Sequence, residues 1–151
     1  MGTMRVFLAG IMQGSLEYDG LHPQDYRGRI KELLRRYAPG SRVYCPVENH
    51  PKSLGYSERK GREVFFDHLE MAASCDVLLA YLPEASMGTA VEMWEAHRNG
   101  RVVLTVSPMG TNWTVKFLST RILKDLEEFE EFLKAGGLQR LVEEKTQERG
   151  T

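Results

Sequence analysis

Apolar runs alternate with amphipathic stretches along the whole chain. Residues 5–9, RVFLA, predict a strand, and residues 41–46, SRVYCP, a second. Residues 77–82, VLLAYL, and 102–106, VVLTV, are almost wholly apolar, the pattern of strands covered on both faces. Residues 121–123, RIL, predict a short fifth strand. Between these runs the period changes to that of a helix. After His22-Pro23, apolar side chains recur at Tyr26, Ile30, Leu33, Leu34 and Tyr37, and Pro39-Gly40 ends the pattern. Residues 58–74 predict a helix that turns Val64, Phe65, Leu69, Met71 and Ala72 toward a core. A helix with Glu92 in its first turns joins the third and fourth strands, and a short one lies within residues 109–119. Residues 125–135 predict an amphipathic helix stopped by Gly136-Gly137, and a further short helix follows Leu138. Residues 10–20 and 47–56 read as loops.

Strands that alternate with helices imply an α/β protein, a parallel sheet with helices on both faces. We divide the chain into a domain over residues 1–137 and a helical tail over residues 138–151. A sheet of this kind binds ligands beyond the carboxyl ends of its strands, where strand order reverses. If the first and third strands are neighbours, the Gly10 loop, the end of the Asp67 helix and the Ser86–Glu92 turn converge there.

Composition narrows the classes. With 42% hydrophobic and 27% charged residues in 151, the chain fits one soluble globular domain. A formal charge of −1 supplies no basic field for nucleic acid, and no apolar run approaches membrane-spanning length. The first residues show no signal-peptide pattern, which points to the cytoplasm. Cys45 and Cys75 fit reduced, buried thiols. The four histidines have no metal-ligand spacing, so no metal is expected.

The chemistry concentrates in residues 76–108: strand, turn, helix, strand. The turn carries Pro83, Ser86, Gly88 and Thr89, with the Glu92 carboxylate just behind it. Such a turn presents backbone N–H groups and a hydroxyl to an anion at a helix N-terminus. A carboxylate held there can act on a neighbouring electrophilic carbon. The plainer reading is an ordinary βαβ unit with a surface glutamate. The loop Gly10-Ile11-Met-Gln-Gly-Ser15 matches neither G-x-G-x-x-G nor G-x-x-x-x-G-K-[ST], which argues against dinucleotide binding and triphosphate hydrolysis. Glu48 reads as a surface carboxylate, and Asp67 and Glu70 as a solvated helix face. Asp76 opens a strand, where it either caps the preceding helix or meets a ligand. Asn112-Trp113 follows the fourth strand, at the functional edge of the sheet.

The segments VFLAG, DHLE, DVLLAYL and SMGTAVE together resemble the nucleoside 2-deoxyribosyltransferase family, and within it the nucleoside 5′-monophosphate N-glycosidases more closely. The resemblance spans residues 5–109, and Ser86-x-Gly88-Thr89-x-x-Glu92 is its most specific part. It implies a flavodoxin-like, doubly wound sheet of five parallel strands, no cofactor and no metal. It also implies a homodimer or larger assembly whose subunits complete each other's sites. Glu92 then matches the nucleophile, and Asp67 the aspartate that orients or protonates the base. Phe7, Gly10, Ile11, Ser15, Asp76, Ser86, Gly88 and Thr89 are the expected substrate contacts, with Asn112 or Ser119 near the partner's ligand. Two departures bear on the substrate. Ser86 stands where transferases acting on free nucleosides tend to carry aspartate, and a hydroxyl donates to a 5′-phosphate that a carboxylate repels. Phe7 replaces the tyrosine usual in deoxyribose-preferring members, which leaves ribose open. The expected function is therefore hydrolysis of a (deoxy)nucleoside 5′-monophosphate to base and sugar phosphate. The alternatives are deoxyribosyl transfer between bases and a non-catalytic nucleotide-binding module.

Overall fold

The structure is a computed structural model that describes residues 3–10 and 25–150. Ile11 and Ser15, two of the expected substrate contacts, lie outside the described residues. Five strands form one sheet: β1 (Met4–Gly10), β2 (Ser41–Tyr44), β3 (Val77–Tyr81), β4 (Val102–Val106) and β5 (Arg121–Leu123). Their order is β2-β1-β3-β4-β5, and every pairing is parallel. The helices are α1 (Asp25–Tyr37), α2 (Pro46–Asn49), α3 (Glu58–Ser74), α4 (Met87–Arg98), α5 (Trp113–Leu118), α6 (Leu126–Lys134) and α7 (Gly137–Gly150). Helix α1 leads outward from β1 to β2, and α3 carries the chain back to β3 on the other side of β1. The reversal therefore falls between β1 and β3, where Gly10 pairs with Tyr81.

Alternation along the central strands divides the core in two. Val6, Leu8, Val77, Leu79, Leu104 and Val106 meet Ile30 and Leu34 of α1, Phe129 and Leu133 of α6, and Leu138 of α7. Phe7, Ala9, Leu78, Ala80 and Val103 meet Ala72 of α3, Met93 and Ala96 of α4, and Val115 of α5. Each large side chain removed from water in this way contributes about 1.5–3 kcal/mol. Leu138 is part of the first core, so α7 is anchored to the sheet rather than trailing from it. No described helix is long and apolar enough to cross a membrane. Cys45 and Cys75 are free and buried.

Three elements differ from the reading of the sequence. The second strand ends at Tyr44, because Pro46 has no N–H for the ladder and starts α2 instead. The expected loop over residues 47–56 contains most of α2 and a 3-10 turn at Ser53–Gly55. There Glu48 pairs with Lys31, and the ring of His50 hydrogen-bonds the Tyr56 hydroxyl at 2.7 Å. The third difference is in α3. Of its five expected core residues only Ala72 is buried; Val64 and Leu69 are half-buried, and Phe65 and Met71 are exposed. Helical spacing locates an apolar stripe but does not say whether this chain or another one covers it.

Candidate functional site

The chain leaves β3 at the reversal point, turns through residues 82–86 and enters α4. Ser86 is the N-cap of this helix: its Oγ accepts from the Thr89 N–H at 3.4 Å and lies 3.0 Å from Thr89 Oγ1. Thr89 is buried, whereas Gly88 is exposed with open space around its Cα. A neighbouring loop braces the turn. Leu82 N–H donates to Val106 O, and the buried Ser107 hydroxyl donates to Leu82 O at 2.6 Å. Ser107 was not singled out from the sequence, since a serine after a strand carries no distinguishing pattern.

Glu92 lies in the second turn of α4, half-buried and one residue before the fully buried Met93. Removal from water pushes its carboxyl up to about 8, and the positive charge of Arg27 acts in the opposite direction. Arg27 comes from α1 and is itself buried. Its guanidinium donates to Leu8 O and Gly10 O, both at 3.3 Å, and to Cys45 Sγ at 3.6 Å. Tyr26 stacks on Tyr81 with ring centroids 4.2 Å apart. Burial raises the Tyr26 phenol strongly, and the charge of Glu92 adds to that rise. A Cβ on Gly10 would collide with the Tyr26 hydroxyl, so the glycine there permits a close approach rather than a special turn. Tyr26, Arg27, Gly10, Tyr81 and Glu92 thus gather at the reversal point. Arg27 did have a sequence signal: it falls three residues before Ile30 and seven before Leu34, on the buried stripe of α1.

A second group surrounds Phe7, which is buried in β1. Its ring stacks on Tyr44 at 5.7 Å and meets His68 edge-on at 5.8 Å. The Tyr44 hydroxyl and His68 Nε2 are 3.1 Å apart, and the His50 and His68 rings are 5.4 Å apart. Burial lowers His68, the charge of His50 lowers it further, and Asp67 opposes both. The Asp67 side chain is exposed, midway along α3 rather than at its end, and its charge also acts on Tyr44.

The remaining expected contacts lie elsewhere. Asp76 precedes β3 at the amino edge of the sheet, the far side from Glu92. There it accepts the Arg5 N–H at 2.7 Å and pairs with the Arg5 guanidinium at 3.6 Å. A carboxylate that opens a parallel strand lies a full strand length from the carboxyl edge. Asn112 is exposed and caps α5, accepting from Thr114 and Val115 N–H. The half-buried Ser119 hydroxyl is engaged within its own subunit, 2.6 Å from Thr105 Oγ1. A cleft of about 660 Å³ opens at the carboxyl ends of β3 and β4, on the α1 and α6 side. Its lining includes Arg29, Tyr81, Ser107 and Lys124, but not Glu92.

The burial of Glu92 has a consequence for stability. In the unfolded chain this carboxyl ionises near 4.5, in the folded one near 8. A raised folded value stabilises below about pH 4.5, and this contribution is lost as pH rises through about 8. Glu92→Gln should therefore change the melting temperature little at pH 4.5 and raise it at pH 8. Equal changes at both pH values in thermal melts would show that Glu92 is not desolvated.

By sequence comparison, no protein-family model and no curated protein matches the chain. Solved structures do share its fold. A 2-deoxyribosyltransferase from the psychrotolerant bacterium Bacillus psychrosaccharolyticus aligns with a TM-score of 0.64 and 21% identity, over 83% of this chain and 90% of that one. A conserved protein from Enterococcus faecalis V583 aligns with a TM-score of 0.63 and 21% identity, over 89% and 99%. The α/β fold with five parallel strands is thus similar to that of a deoxyribosyltransferase.

Proposed function

We propose that this chain is an enzyme of nucleoside metabolism that cleaves an N-glycosidic bond, with Glu92 as nucleophile. The observation that carries this reading is the place of Glu92: a desolvated carboxyl at the β1–β3 reversal point, in the helix that begins at the Ser86–Thr89 turn. The Glu92 carboxylate attacks the anomeric carbon as the bond to the base breaks, through an oxocarbenium-like state. The base leaves with the bonding electrons and takes up a proton. Attack by a nitrogen of a second base, or by water, then releases the sugar and restores the carboxylate. Asp67, beside Tyr44 and His68, marks the base end of the site.

Transfer to a second base is the leading outcome, because a structural relative, at 21% identity, is a 2-deoxyribosyltransferase. This reverses the order reached from sequence alone, which ranked hydrolysis first. Hydrolysis of a 5′-monophosphate is the second reading, favoured by the hydroxyls of Ser86 and Thr89 at the start of α4. Incubation with nucleosides and their 5′-monophosphates, with and without an acceptor base, separates the two. Exchanged nucleoside means transfer, and base released without acceptor means hydrolysis. Binding with neither product would leave a nucleotide-binding module and end the enzymatic reading.

We further propose that the chain works as a homodimer or larger assembly. Met87, Val91 and Trp94 of α4, Trp113 and Phe117 of α5, and Phe65 and Phe66 of α3 are all exposed; Met87 and Trp113 reach 81% and 77%. Helix α4 packs beside both α3 and α5, so these side chains lie on adjoining helices. Apolar surface of this extent is uncommon on a monomer. Light scattering at micromolar concentration should give at least twice the monomer mass, and Trp113→Lys should reduce it. A monomeric mass for the unaltered chain would rule out the assembly.

A further inference from the structure

We propose that Ser107 is a positioning residue of this site: its hydroxyl ties the loop after β4 to Leu82 and so sets where the following turn presents Ser86. The inference rests on the reading of the Ser86–Thr89 turn as a substrate contact.

Strands β3 and β4 pair as far as Tyr81 and Val106, and the Leu82 N–H adds a bond to Val106 O at 2.9 Å. One further rung of a parallel ladder would bring the N–H of residue 108 to Leu82 O. Residue 108 is proline and has no N–H to give. The Ser107 hydroxyl donates to that carbonyl instead, at 2.6 Å. The same oxygen accepts the Met109 N–H at 3.0 Å, and the Ser107 N–H donates to Leu123 O of β5 at 2.8 Å. One side chain, 2% exposed, thus joins the end of β3 to the loop between β4 and α5. Beyond Leu82, residues 83–85 are exposed, and the chain is gripped again at Ser86 and the buried Thr89. Glu92 stands farther along α4, which Met93 and Ala96 anchor in the core, both fully buried. Loss of the Ser107 hydroxyl weakens the hold at Leu82 and leaves that anchor untouched. The placement of Ser86 then changes, and that of Glu92 does not.

Kinetics of Ser107→Ala, Ser86→Ala and the double variant test this, on whichever nucleoside or 5′-monophosphate the wild type turns over. Ser107→Ala should raise KM about 3- to 10-fold, the scale of one hydrogen bond expressed as affinity, and leave kcat within about twofold. In the Ser86→Ala background the same change should add little to KM, since the two side chains act through one turn. A serine that is only structural lowers the melting temperature and moves neither KM nor kcat. That result, or an equal rise in KM with and without Ser86, overturns the proposal. If Ser107→Ala does not fold, backbone NMR of the wild type replaces it: the Met109 N–H resonance should shift as that substrate is titrated in, and an unmoved resonance overturns the proposal equally. Failure of the underlying reading shows separately, as no turnover by the wild type or an unaltered KM in Ser86→Ala. The brace is then read by hydrogen exchange of the Thr89 N–H, expected to be about tenfold faster in Ser107→Ala; an unchanged rate overturns it.

Discussion

Glu92→Gln is expected to reduce turnover by at least about 10³-fold while leaving the fold intact, since removal of a nucleophile is among the largest single losses an enzyme shows. Glutamine has nearly the same volume, so Met93 and Ala96 keep their packing around the helix. What it lacks is the negative charge that meets the oxocarbenium carbon, and the oxygen that bonds to it. The burial of Glu92 also gives the loss a pH signature in the wild type. The carboxyl ionises near pH 8 in the free protein, and only the ionised form attacks. The wild-type kcat/KM should therefore climb with pH up to about 8 and level off above it, since kcat/KM reports free-enzyme ionisation. Release of free base measured across that range checks both points. A Glu92→Gln variant with the wild-type rate would require a different nucleophile.

Ser86→Asp should narrow any preference for a 5′-monophosphate over its nucleoside by about 10–100-fold, from the loss of a charge-assisted hydrogen bond of about 1.5–3 kcal/mol. The fold is expected to survive, because aspartate caps a helix as well as serine does and can still accept the Thr89 N–H. The change thus isolates the phosphate effect from the capping effect. At the start of α4 the helix end is electropositive, which suits an anion. An aspartate there places a negative charge against the phosphate. If Ser86 is only a cap, the ratio of rates on nucleotide and nucleoside will be the same in both proteins.

The site was unevenly legible in the sequence. Ser86, Gly88, Thr89 and Glu92 lie within one turn and the helix behind it, so their spacing alone places them together. Gly10 could be added because apolar runs predict parallel strands whose carboxyl ends share an edge. Asp76 belongs to the amino end of its strand, and a carboxylate beside an apolar run looks the same at either end. Arg27 shares the apolar stripe of α1, but its partners Leu8 O and Gly10 O come from β1, which no pattern within the helix reveals. The group formed by Phe7, Tyr44, His50 and His68 draws on β1, β2, α3 and the segment between them, and no local pattern joins those positions.

What the sequence determined by itself was most of the local structure: strands from apolar runs, helices from their period, and hence the alternating α/β class. These follow from backbone geometry and from burial of side chains a few residues apart. Tertiary structure alone decided the strand order, the partners of Asp76 and Arg27, the desolvation of Glu92, and which apolar side chains stay exposed on α3, α4 and α5. Each of those depends on groups far apart in the chain. A side chain's charge and exposure are set by what is packed against it, and periodicity shows only which side of its own element it occupies.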